Sequence, residues 1–174
     1  LQFGIDWRTA DIEHAREVRD LMGGEYYIDH EDANNTNKVV RLGDIIAYHN
    51  ETTVDWVGVF AQASYIAGPI SAYGMVGSSS IKYSYQDHFT VADKKINSES
   101  IGATQFKGGA MFDVSNDISV FGNFGIVEKP PIMDNVIYID GTVADNPDNE
   151  QFVSTEFGVN WRLMDGRIAT KVNV

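Results

Sequence analysis

The chain has 174 residues, with 25 acidic and 13 basic side chains and a net charge of −12, which argues against a nucleic-acid partner because phosphate binding needs clusters of basic residues. It has no cysteine, which excludes a disulfide framework and a cysteine-based zinc or redox site. No apolar run approaches the ~20 residues of a transmembrane helix, and the first residues lack the basic and apolar regions of a signal peptide.

Alternation of apolar and polar residues with a period of two is the main signal along the chain, and it predicts β-strands. In the first strand, over residues 1–8, Phe3, Ile5 and Trp7 alternate with polar residues. Six further strands are predicted over residues 56–65, 72–84, 101–114, 118–126, 153–163 and 168–173. We therefore expect an all-β chain with seven antiparallel strands.

The stretch that follows the first strand predicts a different structure. Ile12, Ala15 and Val18 recur at helical intervals within residues 11–22, and Gly23 supplies a stop. We expect a short amphipathic helix there. The polar residues 29–38 are expected to form an exposed tip.

The connections between predicted strands alternate in length. Short turns are expected at Gly68-Pro69, residues 115–117 and residues 164–166, where Asp165-Gly166 is a strong hairpin signal. Long connections are expected over residues 9–53, 86–100 and 128–150, which also hold most of the acidic residues. This asymmetry is typical of an up-and-down transmembrane β-barrel, which has short periplasmic turns at one rim and long extracellular loops at the other.

In such a barrel the polar parity of each strand faces the lumen. The physical reason is that a charged side chain facing lipid at mid-depth costs about 2–4 kcal/mol. The side chains expected to line the lumen are Gln62, Ser78, Ser80, Lys82, Asn123, Glu156, Asn160 and Arg162. Aromatic residues near strand ends, such as Trp7 and Trp161, suit a girdle at the two membrane interfaces. Tyrosine and tryptophan also favour strands in general.

A search for catalytic motifs returns no nucleophile elbow, zinc-protease motif or phosphate loop. We therefore expect no enzyme activity, no cofactor and no metal site. Two acidic tracts, residues 29–32 and 145–150, could supply oxygen ligands to calcium, but neither matches a known loop and a solvated tip is the favoured interpretation. The four histidines, which fall in the long connections, stay unassigned: His14, His30, His49 and His88.

Several segments resemble TonB-dependent outer-membrane receptors, especially large ones from Bacteroidetes-type bacteria. Residues 120–131 are similar to the family's strand that climbs to an outer loop through an aromatic-rich segment ending in proline. Residues 150–168 resemble the hairpin that follows, in which a Ser-x-Glu-x-Gly strand runs into an Asp-Gly turn. Residues 58–62 are similar to a recurrent barrel strand of this group.

The resemblance implies that residues 1–174 are a sector of a 22-stranded barrel, with the plug domain and the remaining strands outside this sequence. It implies a location in the outer membrane of a Gram-negative cell, surrounded by lipid. It further implies uptake of a scarce nutrient, such as a siderophore or an oligosaccharide, energised by the TonB complex through the plug. This sector would then supply barrel wall and extracellular loops that capture the ligand.

Two other interpretations stay open. The chain could belong to a passive porin or to another outer-membrane barrel without a plug. It could instead be a soluble β-sandwich, such as a carbohydrate-binding module, in which the aromatic faces would be platforms for sugars.

Overall fold

The structure is a computed structural model that describes residues 1–89 and 94–174. Its strands and single 3-10 helix are β1 (Gln2–Glu17), β2 (Tyr27–Asp29), β3 (Lys38–Val40), β4 (Ile45–Ala67), β5 (Ile70–Asp87), β6 (Ile96–Asn97), β7 (Ile101–Asp113), β8 (Ile118–Lys129), η1 (Met133–Asn135), β9 (Glu150–Leu163) and β10 (Ile168–Asn173). The prediction of an all-β antiparallel chain is confirmed.

Eight of these strands form one antiparallel sheet that curls into a half-barrel, and seven of them make up its continuous order. Their order in the sheet is β1-β4-β5-β7-β8-β9-β10, so each long strand pairs with the next long strand along the chain. The short β6 pairs with β5, and β2 and β3 form a separate hairpin. Among the described residues no strand pairs with the outer edge of β1 or of β10, so the half-barrel has two open edges.

The short turns lie where the sequence predicts them. Gly68, with a φ of 55°, and Pro69 join β4 to β5. Residues 114–117 join β7 to β8, and residues 164–167 join β9 to β10. Asp165 and Gly166 both have positive φ values, 55° and 81°, as a tight hairpin turn requires.

The strand register divides the side chains between two faces of the sheet. Directly opposite residues on neighbouring strands point to the same side. Face A is the side that bears Trp56, Tyr83 and Glu156, and face B is the side that bears Val57 and Phe124. The regularly paired side chains of the seven long strands can be placed on one face by following these pairs, up to the register shift that follows Ala15 in β1.

Crowding at the glycines shows that the side chains converge over face A. A Cβ atom at Gly58 would overlap the ring of Trp56, and one at Gly158 would overlap the ring of Phe121; both glycines lie on face A. A Cβ atom at Gly74, on face B, would meet no atom within 4 Å. Face A is therefore the concave side of the half-barrel, and face B is the convex side.

The largest buried apolar cluster lies on face A, at the end of the sheet away from the short turns. Residues 130–149, which connect β8 to β9, fold back over this part of the sheet. The cluster consists of Tyr83, Tyr85, Ile101, Val136 and Ile137. This connection is thus packed into the mouth of the half-barrel rather than extended away from it.

The predicted helix over residues 11–22 is wrong. Residues 11–17 continue β1, and Asp11, Ile12 and Glu13 pair with Thr53, Thr52 and Glu51 of β4. The helical spacing of Ile12 and Ala15 is real, but the backbone hydrogen bonds go to β4 instead. Pairing with a long neighbouring strand has overridden a weak local preference.

The strands extend further than predicted, so the long connections are shorter. They span residues 18–44, 88–100 and 130–149 rather than 9–53, 86–100 and 128–150. The polar tip is also corrected in part, since Asp29 and Asp32 are only 1% and 6% exposed. Backbone N–H groups of Glu31 and Asn34 donate to Oδ1 of Asp29 and of Asp32, whereas Oδ2 of Asp29 is buried without a hydrogen-bond partner among the described residues.

Candidate functional site: an apolar band and a polar inner face

The convex face B carries a continuous apolar band across all seven long strands, beside the short turns. One line of the register, Phe3, Ala61, Val76, Phe106, Ile126 and Val153, crosses six strands without a polar residue. Many of these side chains are exposed to a degree that is unusual for large hydrophobic residues. Phe3 is 80% exposed, Trp7 71% and Phe157 65%. An exposed apolar patch that crosses a whole sheet is typical of a surface that contacts a protein, a ligand or a membrane.

The band contains no charged side chain. The strand segments that form it are residues 1–7, 57–67, 70–76, 106–113, 118–126, 153–163 and 168–173. Within them, every face B position is apolar, glycine or threonine. The charged residues of the same segments, such as Asp6, Lys107 and Glu156, point to face A.

Beyond the band, towards the long connections, face B becomes polar within one or two residues. Thr9, Asp55 and Lys82 form the register line directly above Trp7 and Val57. In β7 to β9 the change occurs at Thr104, Glu128 and Gln151. The boundary therefore runs across the whole sheet, and it separates an apolar zone from a hydrated one.

Five of the eight predicted lumen residues share the concave face: Gln62, Asn123, Glu156, Asn160 and Arg162. Ser78, Ser80 and Lys82 do not. They are paired with Val59, Val57 and Asp55, and so they lie on convex face B. The structure therefore places these three residues on the opposite side of the sheet from the other five.

The sequence pattern assigned these three residues to the wrong side of β5 because they lie at or above the boundary of the apolar band. Ser78 marks the height at which face B turns polar, so a polar residue above it no longer identifies face A. Tyr73, Met75 and Ile81, which lie on face A of the same strand, reinforce the wrong parity because they are large and largely apolar. Only the pairing register with β4 shows which residues of β5 lie on which face.

Glu156 is the centre of a hydrogen-bond network on face A. Asn123 Nδ2 donates to Glu156 Oε2 at 2.8 Å. Asn173 Nδ2 and Lys171 Nζ donate to Glu156 Oε1 at 2.7 and 3.2 Å. Tyr73 extends the network, since its hydroxyl donates to Asn123 Oδ1 at 3.3 Å. The carboxylate therefore ties β8, β9 and β10 together across the concave surface.

An open cleft of about 380 Å³ adjoins this network, lined in part by Tyr73, Asn123, Asn160 and Lys171. The amino group of Lys171 lies 4.5 Å from the ring centroid of Phe121. Sequence reasoning missed Tyr73 and Lys171. Lys171 shares the polar parity of its short strand, which is the one signal that could have identified it.

A second cleft, of about 820 Å³, lies between face A and residues 132–139 near the long connections. The hydroxyl of Tyr83 donates to the carbonyl of Pro131 at 2.9 Å and fixes the connection over the sheet. Burial, together with the nearby carboxylate of Asp87, raises the pKa of Tyr85 to about 12. Its hydroxyl therefore stays protonated and donates to Asp87 at 3.3 Å.

Two histidines that are far apart in sequence, His49 and His88, meet on face B above the apolar band. Their ring centroids lie 4.4 Å apart, and Glu51 lies beside them. Sequence spacing alone could not reveal this group, because β4 and β5 bring the two rings together only through their pairing.

In residues 1–89 and 94–174, no helix is long and apolar enough to cross a membrane. Comparison of the chain with models of protein families, with curated proteins and with solved structures finds no match.

Proposed function

We propose that the chain forms part of the wall of an outer-membrane β-barrel of the TonB-dependent receptor type, which takes up a scarce nutrient. Face B would contact lipid, face A would line the lumen, and the long connections would face the cell exterior. The observation that carries this proposal is the charge-free apolar band on the convex face. A soluble half-barrel would expose this band to water at a large cost in free energy.

The dimensions of the band support contact with a bilayer. A transmembrane β-strand needs about 9–11 residues when it is tilted. Residues 57–67 of β4 and residues 153–163 of β9 have this length. β4 is 23 residues long, so it projects well beyond the band into the hydrated zone. Long strands that rise above the membrane would present the outer connections to ligands.

The concave face supports the assignment of a lumen. A bilayer could not accept the Glu156 network, because charged groups in lipid are strongly destabilising. A hydrated interior accepts it readily. The cleft beside the network is lined by amide, ammonium, hydroxyl and aromatic groups, which suit a polar small molecule or an oligosaccharide as cargo.

The two open edges require further strands. An unpaired edge leaves backbone N–H and C=O groups without partners, which lipid does not tolerate. In a receptor these edges would pair with the rest of the barrel. The plug and the TonB complex enter the proposal through the sequence resemblance alone.

Single-cysteine scanning tests the placement of the band. The chain has no native cysteine, so each thiol introduced into it reports one position when the rest of the protein also lacks cysteine. Val59→Cys, Phe124→Cys and Val159→Cys should resist a water-soluble maleimide in native membranes, because lipid covers them. Thr53→Cys and Ser84→Cys, on the same face above the band, should react rapidly. Equal reaction at all five positions would show that water reaches the band and would reject the membrane placement.

Two alternatives differ in measurable ways. In a β-sandwich, a second sheet would cover the band, and the protein would remain in the soluble fraction after cell lysis. A passive porin would let solutes enter regardless of TonB. For the receptor, deletion of TonB or collapse of the proton gradient should abolish uptake without releasing the protein from the outer membrane. Uptake that survives both treatments would favour the porin.

A further inference from the structure

His49, Glu51 and His88 form a compact group on face B, well above the apolar band. One nitrogen from each histidine and one carboxylate oxygen from Glu51 all lie within 4.8 Å of one another. The rise of a strand is about 3.3 Å per residue, so His49 lies about 25 Å along β4 from Val57 at the edge of the band. The group is therefore outside the zone that we assign to lipid, and its chemistry does not depend on that assignment.

The group draws on three neighbouring strands. His49 and Glu51 belong to β4, and the backbone N–H of His88, just after β5, donates to the carbonyl of His49 at 2.9 Å. Glu13 of β1 belongs to the same group, since its carboxylate lies 2.8 Å from Nε2 of His49. Glu51 in turn lies 3.3 Å from Nε2 of His88. The backbone pairing thus fixes the positions from which all four side chains extend.

The two carboxylates of the group would be stabilised by a bound cation. Glu13 and Glu51 are directly opposite each other in the register of β1 and β4. Like charges in this position destabilise a sheet. A divalent cation held between the carboxylate of Glu51 and the two imidazoles would remove this repulsion.

We propose that His49, Glu51 and His88 bind a zinc ion, with Glu13 orienting the ring of His49. Zinc binds imidazole nitrogen and carboxylate oxygen at about 2.0–2.2 Å, commonly with three protein ligands and one open position. Calcium and magnesium prefer sets made of oxygen alone. The side chain of Glu51 is 55% exposed, so a small rotation can bring its carboxylate within bonding distance of an ion held by the two histidines. A carboxylate on the ring nitrogen of a histidine is a common means of orienting a ligand.

Bound zinc would fasten β1, β4 and β5 where these strands project furthest from the short turns. Because the ion binds the folded chain, it should raise the temperature of unfolding. The site lies on the convex face, whereas the two clefts lie on or over the concave face, so the ion is a structural element rather than cargo.

Isothermal titration calorimetry with zinc chloride tests the site on the full-length protein after treatment with EDTA and dialysis. We expect one zinc ion per chain and a higher midpoint of thermal unfolding in zinc, with no such effect from calcium chloride. The double variant His49→Gln/His88→Gln should lose this binding. Glu13→Gln should weaken it about 10–100-fold, as is usual for a partner that orients a ligand.

His14→Gln is the matched control, because His14 lies beside Glu13 on β1 but points to face A. It should bind zinc as the unaltered protein does. Glu51→Gln, at an exposed position, repeats the test if the double variant fails to fold, and it should also weaken binding. The proposal is overturned if the unaltered protein binds no zinc, or if folded variants at His49, His88 and Glu51 bind it unchanged. Glu13 and Glu51 would then pair with His49 and His88 without a metal ion.

Discussion

Ala61 and Thr53 lie on the same face of β4 and differ in their surroundings. Ala61 is flanked by Phe3 and Val76 within the apolar band. Thr53 lies above the band and donates a hydrogen bond to Asp11 at 2.8 Å. The same substitution at these two positions therefore separates an effect of lipid from an effect of the strand itself.

We expect Ala61→Arg to lower the free energy of unfolding in phospholipid vesicles by about 2–4 kcal/mol, because the new charge would face the middle of the bilayer. Thr53→Arg should change it by about 0–1 kcal/mol. Guanidinium titration followed by tryptophan fluorescence measures both values. An equal loss in the two variants would contradict the membrane placement.

Glu128, just above the band, shows how one residue responds to pH. The hydroxyl and the backbone N–H of Thr104 donate to the same carboxylate oxygen at 2.7 and 2.9 Å. These hydrogen bonds, the hydroxyl first, lower the pKa of Glu128 below its ordinary value. The resulting stabilisation is present above the ordinary carboxyl pKa, and it is lost as the pH falls through the lowered value.

Thr104→Val removes the hydroxyl and keeps the backbone donor, so it should raise the pKa of Glu128 part of the way to its ordinary value. Carboxyl resonances followed by NMR during an acid titration give this pKa directly. Thr142→Val is the control, since Thr142 donates in the same way to Asp140, elsewhere in the chain. If the pKa of Glu128 is unchanged in Thr104→Val, the hydroxyl of Thr104 is not the main cause of the lowered pKa.

At the scale of an element, the connection between β8 and β9 owes its position to the sheet beneath it. Val136 and Ile137 are 1% and 3% exposed, and they pack against Tyr83 and Tyr85 of β5. Residues 130–149 contain three prolines and four aspartates, which predicts a solvated loop. Its two buried aliphatic residues carry no periodic signal, so their contact with β5 could be found only in three dimensions.

Tyr83→Phe should loosen this connection, because it leaves the buried carbonyl of Pro131 without its donor; an unsatisfied buried group costs about 1–3 kcal/mol. Hydrogen exchange at the backbone amides of residues 133–137 should become faster. Tyr73→Phe is the matched control, on the same strand and face but beside Asn123 instead. Faster exchange in the control alone would contradict this role of Tyr83.

The strand elements were the most predictable part of the fold. Period-two alternation located all seven long strands, and the Gly68-Pro69 and Asp165-Gly166 turns were identified correctly. The upper halves of β1 and β4 were missed. There, Asp11, Glu13 and Glu51 place charges on the same face that is apolar below, so a single alternation pattern does not continue through the strand.

On the scale of the whole molecule, the three tryptophans lie on different faces. Trp7 and Trp161 are on convex face B, whereas Trp56 is on concave face A. Trp7 lies at the boundary of the band, and Trp161 lies near the short turns. This distribution suits a curved wall that has lipid on one side and water on the other.

Three variants that each retain one of Trp7, Trp56 and Trp161, in a protein with no other tryptophan, test this arrangement in vesicles of brominated lipid. Bromine should quench the fluorescence of Trp7 and Trp161, because the proposed placement sets them against the acyl chains, and should leave Trp56 largely unquenched. Vesicles without bromine are the control. Stronger quenching of Trp56 than of the other two would reverse the assignment of the two faces.

The sequence by itself determined the antiparallel strands, their short turns and the location of polar positions in β9. Each of these depends on local chemistry: alternation, glycine at positive φ, and the parity of a short run. The tertiary structure decided which parity faces inward in β5, the continuation of β1 past residue 8, and the meeting of His49 with His88. These features depend on register between strands, which is set by hydrogen bonds between residues far apart in the chain and leaves no local signal.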